Sequence, residues 1–120
     1  RPLLAGKKSC HMVFLSARVG SINDNRMGGW YSYRASKAAL NMLLKTAAIE
    51  YARRAKNVKL IAFHPGTTDT TLSKPFQKNI PEDKLFTPDF VARQLLMLVA
   101  KTPIDGTLSY LDWDNQTIDW

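Results

Sequence analysis

Tyr33 and Lys37 stand four residues apart in the run Tyr31-Ser32-Tyr33-Arg34-Ala35-Ser36-Lys37-Ala38-Ala39-Leu40. On a helix that spacing puts both side chains on one face, one turn apart. An ammonium beside a phenol favours the phenolate, which suits the tyrosine to donate or accept a proton near neutral pH. The chemistry that fits such a pair is proton transfer to a carbonyl oxygen. A Tyr/Lys spacing of this kind also arises as an ordinary helix-surface contact, so the elements around it must decide.

Those elements predict a rigid platform. Tyr31–Arg54 reads as a long helix, rich in Ala and Leu (Ala35, Ala38, Leu40, Leu43, Leu44, Ala47, Ala48) and free of Gly and Pro. Ser32 or a neighbour is placed to cap it. Its apolar positions cover more than one face, which predicts cover on two sides, by a sheet and by a partner subunit. Before it, residues 11–15 form a short apolar run suited to a strand buried on both faces. Residues 16–29 turn polar around Asn23-Asp24-Asn25, and a loop of that length favours a functional role.

After the helix, residues 58–63 predict a second strand, ended by His64-Pro65-Gly66. A threonine-rich, proline-punctuated stretch follows. Thr87-Pro88-Asp89 then opens another helix, with threonine at the cap and proline in the first turn, running to about Lys101. Residues 106–111 predict a third strand, and residues 112–120 a polar and aromatic tail. Residues 1–6 read as the end of a helix with Gly6 as its C-cap. Strands alternating with helices long enough for right-handed crossovers imply parallel strands and the α/β class.

Composition narrows the function classes. No apolar run approaches the ~20 residues needed to cross a bilayer. The opening residues are too short and too soon charged for a signal peptide. A single cysteine, Cys10, cannot form an intrachain disulfide and fits a reducing compartment, so the cytoplasm is expected. The net charge of +7 raises nucleic acid as a partner. Its lysines and arginines are dispersed and do not alternate with aromatics as a base-stacking groove would, so a solvated basic surface is expected instead. An anionic cofactor would use the same charge. His11 and His64 have no carboxylate or cysteine at ligand spacing, so no metal is expected. Trp30, Trp113 and Trp120 read as packing or interface residues. Met27 and Trp30, just before the long helix, are placed to line a substrate pocket.

Three motifs in order add a family. Tyr33-Arg34-Ala35-Ser36-Lys37 resembles the tyrosine, three residues, lysine signature of short-chain dehydrogenases/reductases. Leu15-Ser16-Ala17-Arg18-Val19-Gly20 resembles the strand end that supplies the family's serine, and His64-Pro65-Gly66-Thr67-Thr68-Asp69-Thr70 its proline-glycine motif. The wording around Gly20-Ser21-Ile22 and Gly28-Gly29-Trp30-Tyr31 is similar to the C-factor-like and sniffer-like carbonyl reductase branch. The resemblance implies the C-terminal, catalytic half of a Rossmann-like doubly wound parallel sheet. It implies hydride exchange between NAD or NADP and a small carbonyl or alcohol substrate, with Tyr33 as acid/base and Lys37 serving both the tyrosine and the nicotinamide ribose. Pro65, Gly66 and Thr70 would lie near the nicotinamide. By the resemblance the family's serine slot falls on Ala17, which leaves Ser16 and Ser21 as alternatives. Successive strand residues face opposite ways, so Ser16 would need a backbone adjustment, whereas Ser21 sits in the loop. A homo-oligomer through the Tyr31–Arg54 helix is implied as well.

Against the same family, a glycine-rich dinucleotide turn is not found. The glycines at positions 6, 20, 28, 29, 66 and 106 form neither a G-x-x-x-G-x-G nor a G-x-G-x-x-G pattern. Residues 1–120 are therefore expected to be one partial domain that cannot catalyse alone. The altered serine slot keeps a second reading open, a non-catalytic signalling or interaction protein on the same scaffold.

Overall fold

In a computed structural model, residues 4–78 and 80–120 are described. The chain runs through β1 (Cys10–Leu15), α1 (Tyr31–Arg54), β2 (Val58–His64), β3 (Thr67–Thr68), β4 (Leu85–Phe86), α2 (Pro88–Lys101) and β5 (Leu108–Asp112). The main sheet has the order β1-β2-β5 with both pairings parallel, so the α/β class is what the structure shows. β3 and β4 form a separate two-stranded parallel pair.

β2 is the centre of the architecture because alternate residues serve two layers. Val58, Leu60 and Ala62 pack with Leu44 and Ala48 of α1, while Ile61 and Phe63 pack with Leu98 on the side of α2. Ile61, Ala62 and Phe63 are 0% exposed, the condition of a parallel strand covered on both faces. The register sets Leu15 opposite Phe63 and His64 opposite Asp112, so the carboxyl ends of the three strands finish together.

Both helices begin where the sequence places them, but for different reasons. At α2, Thr87 Oγ1 accepts from the Phe90 N–H at 3.2 Å, and Pro88 occupies the first turn, where a missing N–H costs nothing. At α1 the expected serine cap is not used. The residue before the helix is Trp30, left-handed at φ 56°, and no side chain caps the first turn.

Two further expectations change. Residues 1–3 lie outside the described residues, and residues 4–6 are not helical. Gly6 instead donates its N–H to Asn57 Oδ1, and Asn57 Nδ2 donates to the Leu4 and Lys8 carbonyls, tying this segment to the α1–β2 turn. The tail also has structure of its own. It doubles back on β5 through a bridge between Leu111 and Thr117, buries Ile118, and stacks Trp120 on Tyr110 at 4.9 Å between ring centres. Trp113 packs against Phe86 at 4.5 Å, a packing role like the one expected.

One charged residue sits inside the apolar face of β2. The Lys59 side chain is 0% exposed and its Nζ donates to Asp105 Oδ1 (2.6 Å), the Thr107 carbonyl (2.7 Å) and Thr107 Oγ1 (3.3 Å). All three ammonium protons are thereby used, which is what makes the burial tolerable. The hydrogen bond from Lys59 holds the Asp105 carboxyl at about 2, below the usual carboxylate range, against the push of burial. A carboxyl depressed on folding contributes stability that is complete above its unfolded value and is lost as pH falls towards the folded one. In the protein that carries this chain, Asp105→Ala should therefore cost about 1–3 kcal/mol at pH 7, the cost of leaving a buried donor short of a partner. Urea denaturation of variant and parent at pH 7 and near pH 2 checks this, and the gap should close at the acid end.

Candidate active site

A cavity of about 600 Å³ opens at the carboxyl ends of β1 and β2. That is where ligands sit in open parallel sheets. Ser16, Ala17 and Val19 form one wall, and Trp30 and Tyr33, at the start of α1, form another. His64, Pro65 and Gly66 supply the floor at the β2 turn, with Thr70, Leu72 and Ile80 beyond it. The structure thus brings Tyr33, Ser16, Pro65, Gly66 and Thr70 to one cavity. Trp30 lines it too, whereas Met27 is 95% exposed and stands apart.

Tyr33 is partly exposed, with its ring 6.3 Å from that of Trp30. Lys37 Nζ lies 5.9 Å from the centre of the Tyr33 ring and donates to the Leu15 carbonyl at 3.0 Å. The lysine thereby joins α1 to the end of β1. Arg34 braces the entry to the helix, donating to the Gly28 and Gly29 carbonyls at 3.3 and 2.9 Å. Behind these, Gly20 lets the loop after β1 touch α1. A Cβ there would stand 2.9 Å from both the carbonyl carbon and the Cβ of Lys37. Gly66 works similarly on the floor. It is left-handed at φ 76°, and a Cβ there would meet the Phe86 ring at 2.6 Å.

The two serines differ in position and in what their hydroxyls do. Ser16 borders the cavity, is buried, and donates to Asn41 Oδ1 at 2.7 Å. Asn41 is one turn beyond Lys37 on the same helix face. Ser21 is not among the cavity residues. Its hydroxyl is buried and engages the Asp119 and Trp120 carbonyls while accepting from the Asp24 N–H, so the folded-back tail holds it.

Several residues that shape this site were not singled out from sequence. His64 Nδ1 accepts from the backbone N–H of Arg18 at 3.1 Å, and Tyr110 Oη donates to the Ala17 carbonyl at 2.5 Å. Arg18 reaches across to Asp112 at 2.9 Å and approaches Asp24 at 3.9 Å. Burial, and then the Arg18 guanidinium, hold His64 at about 4, although Asp112 and Asp24 pull the other way. His64 is thus neutral at ordinary pH, with its proton on Nε2. Burial raises the Tyr110 hydroxyl above its usual value and keeps it a donor. No local pattern signals these contacts, since Arg18 and Asp112 are 94 positions apart and two of the bonds end on backbone atoms. Among the described residues no cluster of three or more His, Cys, Asp or Glu could hold a metal, and no helix is long and apolar enough to cross a membrane.

Comparison with known proteins agrees with this arrangement. A family model described as short chain dehydrogenase matches residues 2–81, so the chain belongs to the short-chain dehydrogenase family, whose members are oxidoreductases. A 1-hydroxy-2-glutathionyl-2-methyl-3-butene dehydrogenase from a Rhodococcus species is 32% identical over all of this chain and 50% of its own length. C-signal from Myxococcus xanthus is 28% identical over 91% of this chain and 60% of its own length. Among solved structures, an NADPH-bound carbonyl reductase from chicken fatty liver superposes with a TM-score of 0.76 at 26% identity, covering 92% of this chain and 42% of that one. The likeness to C-signal and to a carbonyl reductase matches the branch that the motifs resemble. The chain spans about half the length of these proteins, and its fold is part of their Rossmann-like doubly wound sheet.

Gly20 gives the geometry a direct test. In the protein that carries this chain, Gly20→Ala should push the loop off Lys37 and destabilise by about 1–3 kcal/mol, the usual cost of overpacking. Calorimetric melting of variant and parent checks it, and an unchanged melt would mean that the contact yields freely.

Proposed function

We propose that these residues are the catalytic half of an NAD(P)-dependent oxidoreductase that interconverts a small carbonyl compound and its alcohol. The observation that carries this reading is Tyr33 on the lining of a cavity at the strand ends, together with the Pro65–Gly66 turn, with Lys37 Nζ behind it at 5.9 Å from the Tyr33 ring centre. A side chain at position 66 would collide with Phe86, so the turn leaves a shallow bare surface that suits the face of a flat ring. Lys37 Nζ, held at the Leu15 carbonyl next to Tyr33, would turn to the ribose hydroxyls, which need a donor. The residues present thus fit the group, with Lys37, Pro65, Gly66 and Thr70 as those that would hold it. When bound, the nicotinamide supplies or takes up the hydride.

The chain's own residues do the rest. In the reducing direction the carbonyl carbon gains a hydride and its oxygen gains negative charge. Tyr33 delivers its hydroxyl proton to that oxygen, and Lys37 offsets the charge left on the tyrosine. Ser16 borders the cavity and polarises the carbonyl when its hydroxyl turns from Asn41 to the substrate. Ser21, held under the tail, is the weaker candidate. Val19, Trp30, Leu72 and Ile80 give the cavity its apolar lining.

The reading extends to the whole protein. A dinucleotide-binding half completes the sheet beside β1, whose outer edge has no strand partner among the described residues. Met42 and Leu43 on α1 are 66% and 67% exposed, and a second copy packing on that helix would cover them. The cytoplasm is the proposed compartment. A non-catalytic role on the same scaffold would be preferred only if the whole protein bound no nicotinamide cofactor.

In the whole protein, Tyr33→Phe should lower turnover roughly 10²–10⁴-fold, the span of acid–base catalysis, and leave NADPH affinity nearly unchanged. Lys37→Met should damage both. Ser16→Ala should cost roughly 10²-fold in turnover, as loss of an oxyanion donor does, while Ser21→Ala should lower the melting temperature more than the rate. Ala17→Ser, which restores a hydroxyl to the family's slot, should raise turnover. NADPH oxidation with a diketone such as benzil reads all five rates, and equal activity in Tyr33→Phe and the parent would refute the mechanism. Residues 1–120 alone should show no such activity.

A further inference from the structure

The peptide that joins Ala17 to Arg18 is held at both ends by side chains from the other two strands of the main sheet. Its carbonyl accepts from Tyr110 Oη of β5 at 2.5 Å and from the Gly20 N–H at 3.0 Å. Its N–H donates to His64 Nδ1 of β2 at 3.1 Å. This peptide lies one residue beyond Ser16, and Ala17 lines the same cavity as Tyr33. Strand pairing does not reach it, because the last ladder bond is Ser16 N–H to the Phe63 carbonyl at 2.8 Å. Beyond that bond the side chains of His64 and Tyr110 take over the work of a ladder.

Tyr110 and the clamped Arg18 are themselves fixed. Tyr110 is 2% exposed and stacks on Trp120 with 23° between the rings. Arg18, on the far side of the clamped peptide, is pinned to Asp112, whose other oxygen accepts from the Asp114 and Gln116 N–H groups at 2.9 Å. The imidazole works here only as an acceptor through Nδ1. A protonated ring would turn a second N–H towards the N–H of Arg18 and the clamp would open.

We propose that His64 and Tyr110 are positioning residues that lock the Ala17–Arg18 peptide and so fix where the substrate carbonyl rests relative to Tyr33. Neither needs to touch the reacting atoms. The inference rests on the reductase reading, since a seat matters only where a carbonyl is held.

The test uses the whole protein with NADPH and benzil. His64→Leu removes the acceptor and should lower turnover roughly 10–10²-fold, the scale set by misplacing a reacting group by about an ångström. Its NADPH affinity should stay within twofold of the parent. His64→Asn offers Oδ1 close to where Nδ1 stood and should recover most of the rate. Tyr110→Phe should resemble His64→Leu. The pH dependence of melting gives a second readout. A histidine whose folded value lies below its unfolded one resists a proton that the unfolded chain accepts. The charged groups facing it are Arg18, Asp112 and Asp24, and their net effect with burial puts His64 at about 4. The parent should therefore lose stability as pH falls from about 6.5 to about 4. His64→Asn should lose less over that window. Full turnover in His64→Leu, or an equal loss in His64→Leu and His64→Asn, would overturn the positioning role. Absence of NADPH-dependent turnover in the parent would instead overturn the reductase reading.

Discussion

The constraint on which the rest depends is the burial of β2 on both faces. A strand flanked by parallel neighbours, with α1 above and α2 below, has no freedom to slip, because a shift of one residue would exchange Ala62 for Phe63 against the wrong layer. Fixed register makes the strand ends coincide. Ser16, His64 and Asp112 therefore arrive side by side, from positions far apart in the chain. Lys59 belongs to the same constraint at the opposite end of the strand, where it binds the loop before β5.

From that common edge the site is assembled by a few short bonds. Lys37 connects α1 to Leu15, Ser16 connects β1 to Asn41, and His64 and Tyr110 clamp the peptide between Ala17 and Arg18. Most of the polar groups here bond to backbone or to each other. The polar residues lining the cavity are Ser16, Tyr33, His64, Thr67, Thr68, Thr70 and Ser73. On the proposed reading, a mostly apolar cavity suits a neutral carbonyl substrate better than a charged one. Trp30 stands at the mouth in a left-handed conformation that costs a tryptophan about 1–2 kcal/mol. Its place beside Tyr33 gives that strain a purpose.

The regular elements were legible because their signals are local. The span of α1 could be read from Ala and Leu content, and that of α2 from Thr87 and Pro88. The three strands show apolar runs ended by turn residues. The Tyr33/Lys37 pair was legible for the same reason, since four residues on a helix are also neighbours in sequence. What could not be read depends on contacts between distant segments. Ile118 and Trp120 resemble tail residues until β5 is there to receive them. Ser21 looks free in a loop until the tail closes on it. His64 looked like a histidine without a partner because its partner is a backbone N–H, a group every non-proline residue carries.

The central claim is that the cavity at the strand ends is where hydride and proton meet under Tyr33. A crystal structure of the whole protein with NADPH measures this most directly. The account predicts the nicotinamide ring lying on the Pro65–Gly66 turn, Lys37 Nζ within about 3 Å of the ribose hydroxyls, and Tyr33 Oη facing the ring's reactive carbon across a gap that fits one carbonyl. A nicotinamide bound outside this cavity, or a Tyr33 hydroxyl turned away from it, would contradict the account.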